Sequence, residues 1–225
     1  MRSSTKTPAK PRGRPRAYEP EQAIAHATEA FWHAGYAATS LDALSEATGM
    51  NRPSLYAAFG DKHALYLAAL DRYIAAGRAA IDAALGDDVP LPRALKRMYD
   101  SALAMYYPPD DDARGCFLIG TAVTEAKDDV EVREKLGAGL RLFDHGIEAR
   151  LQRAKALGEL DADADPAALA GIASAILHTL ALRSRAGDSR AALRATAAAG
   201  VQLICGKAAE KGGAANRTRK RSGGS

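Results

Sequence analysis

At 225 residues, with 47% hydrophobic and 26% charged residues, the chain can build a core for one or two ordinary domains and needs no disulfide staples. Its formal net charge of +4 is unevenly spread: residues 1–16 carry six bases and no acid, residues 207–225 carry six bases and one acid, and the body between is left at −7. That distribution argues against a protein coated in nucleic acid and fits one that touches it locally.

Both basic ends are rich in Gly, Ser, Thr, Pro or Ala and poor in large apolar residues, so 1–16 and 207–225 read as disordered arms. Between them alanine and leucine abound and apolar residues return at steps of three and four, which predicts an all-α chain. A first helix is expected to start at Pro20, bury Ile24, Ala27 and Phe31, and stop at Gly35. Thr39 to Asp42 has capping-box form ahead of a short helix, Leu41 to Thr48, that ends at Gly49. Asn51 can cap a second short helix that ends near Phe59 and Gly60, and Asp61 caps a long one running to about Leu85. Further helices are expected over roughly Pro92 to Tyr107, Arg114 to Ala126 and Val130 to Leu157, then one starting at Asp165 with Pro166 and a last one capped by Asp188.

The informative stretch is GYAATSLDALSEATGMNRPSLYAAFGDKHALY, Gly35 to Tyr66. Two short helices separated by Gly49-Met50-Asn51 form a helix-turn-helix pattern, in which the second helix can enter a major groove. On spacing alone, a plain helical hairpin inside a bundle is favoured, because short capped helices are common. The ordered run FWHAGY, TSLDALSEATGM and NRPSLYAAFGDK resembles the N-terminal domain of the TetR family of bacterial transcriptional regulators. The resemblance covers residues 17–66, and beyond about residue 85 it is only generic.

The resemblance implies an N-terminal three-helix DNA-binding domain over 17–77 and a helical effector-binding and dimerisation domain over 78–206. It implies a homodimer on a near-palindromic double-stranded DNA operator, most simply a repressor that lets go when a small molecule enters the C-terminal domain. Thr39 and Ser40 would donate to phosphate, and Arg52 would read a guanine from the first turn of the recognition helix, beside Asn51 and Ser54. Tyr56 and Lys62 would add phosphate contacts, while Leu44, Leu55 and Phe59 hold the helices together. Where relatives often carry aromatic residues or histidine, this chain has Ala57 and Ala58, so direct base readout is thin.

From Ala17 to Lys62 there are two bases against six acids, a net of −4. Cationic contacts are therefore expected from the preceding arm, where Arg12-Gly13-Arg14-Pro15, followed by Arg16, matches the core of an AT-hook that lies in a narrow A·T minor groove. The alternative is an architectural minor-groove protein that works through this arm alone, with the helical body as an oligomerisation module.

In the second half, Tyr106, Tyr107, Cys116, Phe117, Phe143 and His178 are candidates for an effector pocket, although aromatics at helical spacing are more often core. Cys116 could also sense metal or redox state with His145 or His178, against the commoner reading of a small buried hydrophobe. The dimer interface is expected along the last two helices, through Leu169, Ile172, Ile176, Leu180, Leu193, Ala197, Val201 and Ile204. No nucleophile elbow, Walker loop, dinucleotide fingerprint or His-Glu metal helix is present, so neither an enzyme nor a cofactor or metal protein is expected. Asp110, Asp111 and Asp112 lack EF-hand spacing and read as a solvated loop. The two cysteines, Cys116 and Cys205, are far apart, and no apolar leader or uninterrupted membrane-spanning run stands out, so a cytoplasmic location is expected.

Overall fold

A computed structural model describes residues 19–86, 88–109 and 113–206, and among these every regular element is helical. The arm residues Arg12, Arg14 and Arg16, the C-terminal tail and the Asp110–Asp112 cluster lie outside the described residues.

Each N-terminal helix begins and ends for a local reason. Helix α1 (Pro20–Ala34) has proline in its first turn, where a missing N–H costs nothing, and stops at Gly35. Helix α2 (Leu41–Thr48) is capped by Ser40, whose hydroxyl accepts from the Ala43 amide, and closes at Gly49 in the left-handed region. Asn51 caps α3 (Arg52–Phe59) by accepting from the Ser54 amide, and Asp61 caps α4 (Lys62–Ala84) by accepting from Ala64. The cap of α2 falls one residue later than the expected Thr39, because Thr39 turns its hydroxyl inward.

The second half comprises α5 (Leu91–Tyr106), a π-helical turn (Leu118–Ala122) leading into α6 (Val123–Glu125), α7 (Val130–Ala156), α8 (Pro166–Arg185) and α9 (Arg190–Cys205). The expected helix from Arg114 starts four residues late. Gly115 sits at φ +62, a conformation that interrupts a right-handed helix, and a Cβ there would meet the Ala181 carbonyl oxygen at 2.5 Å. The cap of α9 is Ser189, not Asp188, whose carboxylate is taken by Arg183.

Helices α7 and α8 pack along each other, α5 lies against α9, and α4 packs on both α1 and α7. Helix α4 therefore belongs to both halves and runs unbroken through position 77. At 1.5 Å per residue its 23 residues span about 34 Å. By length and composition α8 could cross a bilayer; it packs into the bundle along one face, through Ala170, Ala173, Leu177 and Leu180, with 33% of the apolar stretch buried.

Candidate DNA-binding face and ligand cavity

Helices α1 to α3 close around Phe31, Leu44, Met50 and Leu55, all at most 5% exposed, with Tyr36 and Tyr66 packed on Phe31. This core fixes α2 and α3 relative to each other and leaves one outward face. Tyr56 is 48% exposed on it, beside Arg52 and Ala57, and Ser54 is half-buried. Ser40 stays exposed, and because its oxygen accepts from Ala43, its proton is free for a phosphate. Asn51 keeps its amide group exposed while its oxygen serves the helix cap. Lys62 lies 4.4 Å over the Tyr36 ring, a cation–π contact that places its ammonium at the foot of α3. Partial burial there pushes its pKa down from the ordinary lysine value.

Two sequence expectations change on this face. Thr39 is 1% exposed and donates to the Gly35 carbonyl at 2.6 Å, so its hydroxyl is committed inside the domain and cannot reach a phosphate. Arg52 is not a free finger. Its Nε donates to Asp42 Oδ1 at 2.9 Å and its Nη2 to Oδ2 at 2.6 Å. From the sequence, Asp42 is expected only as the acid of a capping box and as an unfavourable charge.

Behind this face, between α1, α4, α5, α7 and α8, lies a cavity of about 360 Å³. Of the expected pocket residues, Tyr106, Cys116, Phe143 and His178 line it. Tyr107 does not, since its hydroxyl donates to the Asp188 carbonyl elsewhere. Phe117 does not either. It is fully buried among Trp32, Tyr66 and Tyr73, with ring centroids 5.9, 6.0 and 5.5 Å away.

The walls are largely apolar, with Met98, Leu118, Leu140 and Leu177 among them. Their polar exceptions are informative. Ser174 Oγ is buried and has no hydrogen-bond partner among the described residues, an arrangement that a ligand would relieve. Burial pushes the Cys116 thiol up, its sulfur accepts from the Tyr73 hydroxyl at 3.1 Å, and it is therefore a poor nucleophile. Burial likewise pushes His178 below the ordinary histidine value, against a smaller opposing pull from Asp144. Among the described residues no group of three His, Cys, Asp or Glu side chains could hold a metal ion, and His145 does not line the cavity.

Sequence reasoning missed the residues that join the cavity to the DNA-binding half. Trp32 of α1 lines the cavity and donates from Nε1 to the Gly115 carbonyl at 3.2 Å. The Arg114 guanidinium stacks 3.8 Å over the Trp32 ring and pairs with Glu29 of the same helix. Tyr66 donates to Thr121 Oγ1 at 2.8 Å, and His63 lies 2.6 Å from Asp129, the cap of α7. These links join residues 55 to 85 positions apart, which no local pattern discloses.

The expected dimer residues divide by burial. Leu180, Leu193, Ala197, Val201 and Ile204 are at most 9% exposed within one protomer, because the apolar stripe read from the sequence is the one facing α5 and α7. Leu169 and Ile176 are half-buried, and Ile172 is 39% exposed. The outer face of α8 and α9 carries Ile172, Leu182 and Leu203 among exposed alanines.

A capped helix-turn-helix with an outward polar face, set on a helical domain with a cavity, defines a DNA-binding transcriptional regulator. Residues 23–69 match the family described as bacterial regulatory proteins, tetR family, and residues 90–199 match the tetracyclin repressor-like C-terminal domain. The chain belongs to the TetR family of bacterial transcriptional regulators. It is 32% identical to the HTH-type transcriptional repressor ComR of Escherichia coli over 186 residues, which is 83% of this chain and 89% of ComR. Identity to the HTH-type transcriptional repressor BdcR of the same organism is 30% over 203 residues, 89% of this chain and 96% of that one. Among solved structures, a cysteine mutant of the TetR-family regulator CifR, complexed with 26-bp double-strand operator DNA, superimposes with a TM-score of 0.73 at 29% identity, over 84% of this chain and 98% of that one.

Proposed function

We propose that the protein is a ligand-responsive repressor that binds a near-palindromic operator as a homodimer. Ser40, Arg52, Ser54, Tyr56 and Lys62 make the DNA contacts, with Asn51 shaping the start of the recognition helix. One observation carries the reading: α4, which packs on the recognition helix, and α1, which packs on α2 and α4, supply Trp32, Tyr73 and Ile81 to the cavity wall. A ligand that moves those side chains moves the recognition helix with them, so the cavity and the DNA face are one mechanical unit.

The cavity's chemistry points to an uncharged, largely apolar molecule with one hydrogen-bonding group for Ser174. Its volume lies at the small end of the usual range for ligand sites. Depressed His178 and raised Cys116 leave the deep walls uncharged near neutral pH, while exposed Glu29 and Arg72 and the paired Arg114 border the opening. A charged ligand group set among the deep walls, away from Glu29, Arg72 and Arg114, would be buried without a counter-ion.

Dimerisation through the outer face of α8 and α9 is supported by Leu182 at 59% and Leu203 at 68% exposure beside small alanines that permit close helix approach. Arg12, Arg14 and Arg16 are proposed as a minor-groove arm on the strength of the −4 charge of residues 17–62.

The reading is tested by selecting bound DNA from a random pool and then screening neutral and charged compounds for release. A palindromic consensus released by neutral compounds supports the proposal. Selection of A·T-rich DNA without dyad symmetry, unaffected by Arg52→Ala and Tyr56→Ala, favours the architectural alternative.

A further inference from the structure

Asp42 is hard to account for on a DNA-binding surface. It lies in the first turn of α2, next to the phosphate-facing Ser40, and its side chain is 76% exposed. A bare carboxylate there repels the DNA backbone. Ser40 already caps that end of α2, so Asp42 offers the helix only a favourable charge in its first turn. Its evident partner is Arg52, at the first position of α3, ten residues on and 52% exposed.

The geometry of that pair leaves a reading edge open. Asp42 takes Arg52 side-on, through Nε and Nη2. A guanidinium has five N–H donors, and this fork uses the one on Nε and one on Nη2, so the second proton of Nη2 and the facing proton of Nη1 stay free along the adjoining end-on edge. That edge is the one that can fork onto guanine O6 and N7. A carboxylate oxygen also retains lone pairs after accepting one hydrogen bond, and can accept the exocyclic amine of cytosine or adenine on a neighbouring base pair. The side-on hold also freezes a long, rotamer-rich side chain before DNA arrives, which lowers the entropy lost on binding.

We propose that Asp42 is a specificity-determining residue of the DNA site, acting with Arg52 as a two-residue reading head. Arg52 reads a guanine with its free edge, and Asp42 positions the guanidinium and prefers a neighbouring cytosine or adenine amine. This rests on the DNA-binding reading above and adds to it a named operator feature. It also compensates for Ala57 and Ala58, which offer no hydrogen bonds to bases.

The test measures dissociation constants of the full-length protein by fluorescence anisotropy on its selected operator. The same operator is also prepared with the inferred guanine replaced by adenine or by 7-deazaguanine. Wild type, Asp42→Asn, Asp42→Glu, Arg52→Ala and the Asp42→Asn/Arg52→Ala double variant are compared, with thermal unfolding confirming that each is folded. Asp42→Asn is expected to weaken operator binding about tenfold, the low end of what one bidentate base contact discriminates. It should also collapse the preference for guanine over both replacements, with partial rescue in Asp42→Glu. The double variant should bind no more weakly than Arg52→Ala alone. Equal or tighter binding by Asp42→Asn, with guanine preference intact, overturns the proposal and makes Asp42 a bystander or a competitor for Arg52, while loss in Arg52→Ala leaves the DNA-binding reading standing. Unchanged binding by Arg52→Ala overturns the reading head and removes Arg52 from the DNA site as well.

Discussion

Gly115→Ala is the change whose cost can be worked most directly from the structure. Two penalties add at this position. The backbone sits at φ +62, where an L side chain costs roughly 1–2 kcal/mol. In addition the new Cβ would lie 2.5 Å from the Ala181 carbonyl oxygen, a backbone atom of α8 that cannot swing aside as a side-chain tip can. Overpacking of this kind costs about 1–3 kcal/mol. A sum near 3 kcal/mol lowers the melting temperature of a chain this long by roughly 6–12 °C. Gly187→Ala supplies the control, because Gly187 also has positive φ, at +93, but open space where its Cβ would go. It should lose only the conformational share, a few degrees. Differential scanning calorimetry of the two variants separates the terms. A Gly115→Ala protein that melts within about 2 °C of Gly187→Ala would falsify the close approach of the 113–118 segment to α8, and with it the seat of the Gly115 carbonyl that holds Trp32.

Other outcomes follow from the same contacts. Ile172→Glu with Leu182→Glu should leave monomer folding intact but shift sedimentation toward monomer and weaken operator binding, whereas Leu180→Ala should cost about 2–5 kcal/mol of folding stability, as for a buried leucine. The reverse pattern would return Leu180 to the interface. Filling the cavity by Ser174→Leu should raise thermal stability or leave it near wild type, because it removes an unpartnered hydroxyl, while abolishing release by any neutral compound that releases wild type. Release by the same compound at unchanged dose would place the ligand elsewhere. The Val132 amide, and after it the His63 ring, hold Asp129 below the usual carboxylate range. A depressed carboxylate contributes stability that is present above its unfolded value, near 4, and is lost as pH falls through the lower folded value. Asp129→Asn should therefore flatten the acid limb of a stability-versus-pH curve, and an unchanged limb would remove that contribution. Changing Arg12, Arg14 and Arg16 to Ala should lower affinity and reduce the slope of log affinity against log salt by up to about 5 for a dimer with two arms, at roughly 0.9 per lost phosphate neutralisation. An unchanged slope would leave these arginines without a role on DNA.

What the sequence disclosed and what it hid divide along a physical line. Helix boundaries set by local chemistry were legible: Pro20, Gly49, Asn51 and Asp61 each act within a few residues, and the structure uses Pro20 as a first helical residue, Gly49 as a stop, and Asn51 and Asp61 as caps. Ser40 was displaced by one because both it and Thr39 carry a hydroxyl, and only burial of Thr39 decides between them. Gly115 shows the limit of periodicity, since apolar spacing runs on through a residue whose backbone cannot continue a helix. The candidate site was half legible. Tyr56 and Lys62 were found from a linear motif, but the hold of Asp42 on Arg52 needs two helices folded against each other. The stripes on α8 and α9 misled in a related way. Periodicity finds the apolar face that goes inward first, so of the three large aliphatics on the weaker outer face only Ile172 is picked out from the sequence.

The central claim, that α3 reads DNA and the cavity controls it, is tested most directly by titrating the selected operator with wild-type protein, Arg52→Ala and Tyr56→Phe. The titration is run with and without a compound found to release it. The account predicts two protomers bound per palindrome, loss of sequence preference in Arg52→Ala, weaker binding across all sequences in Tyr56→Phe, and ligand release that Ser174→Leu abolishes. Specific binding that survives both α3 substitutions would contradict it.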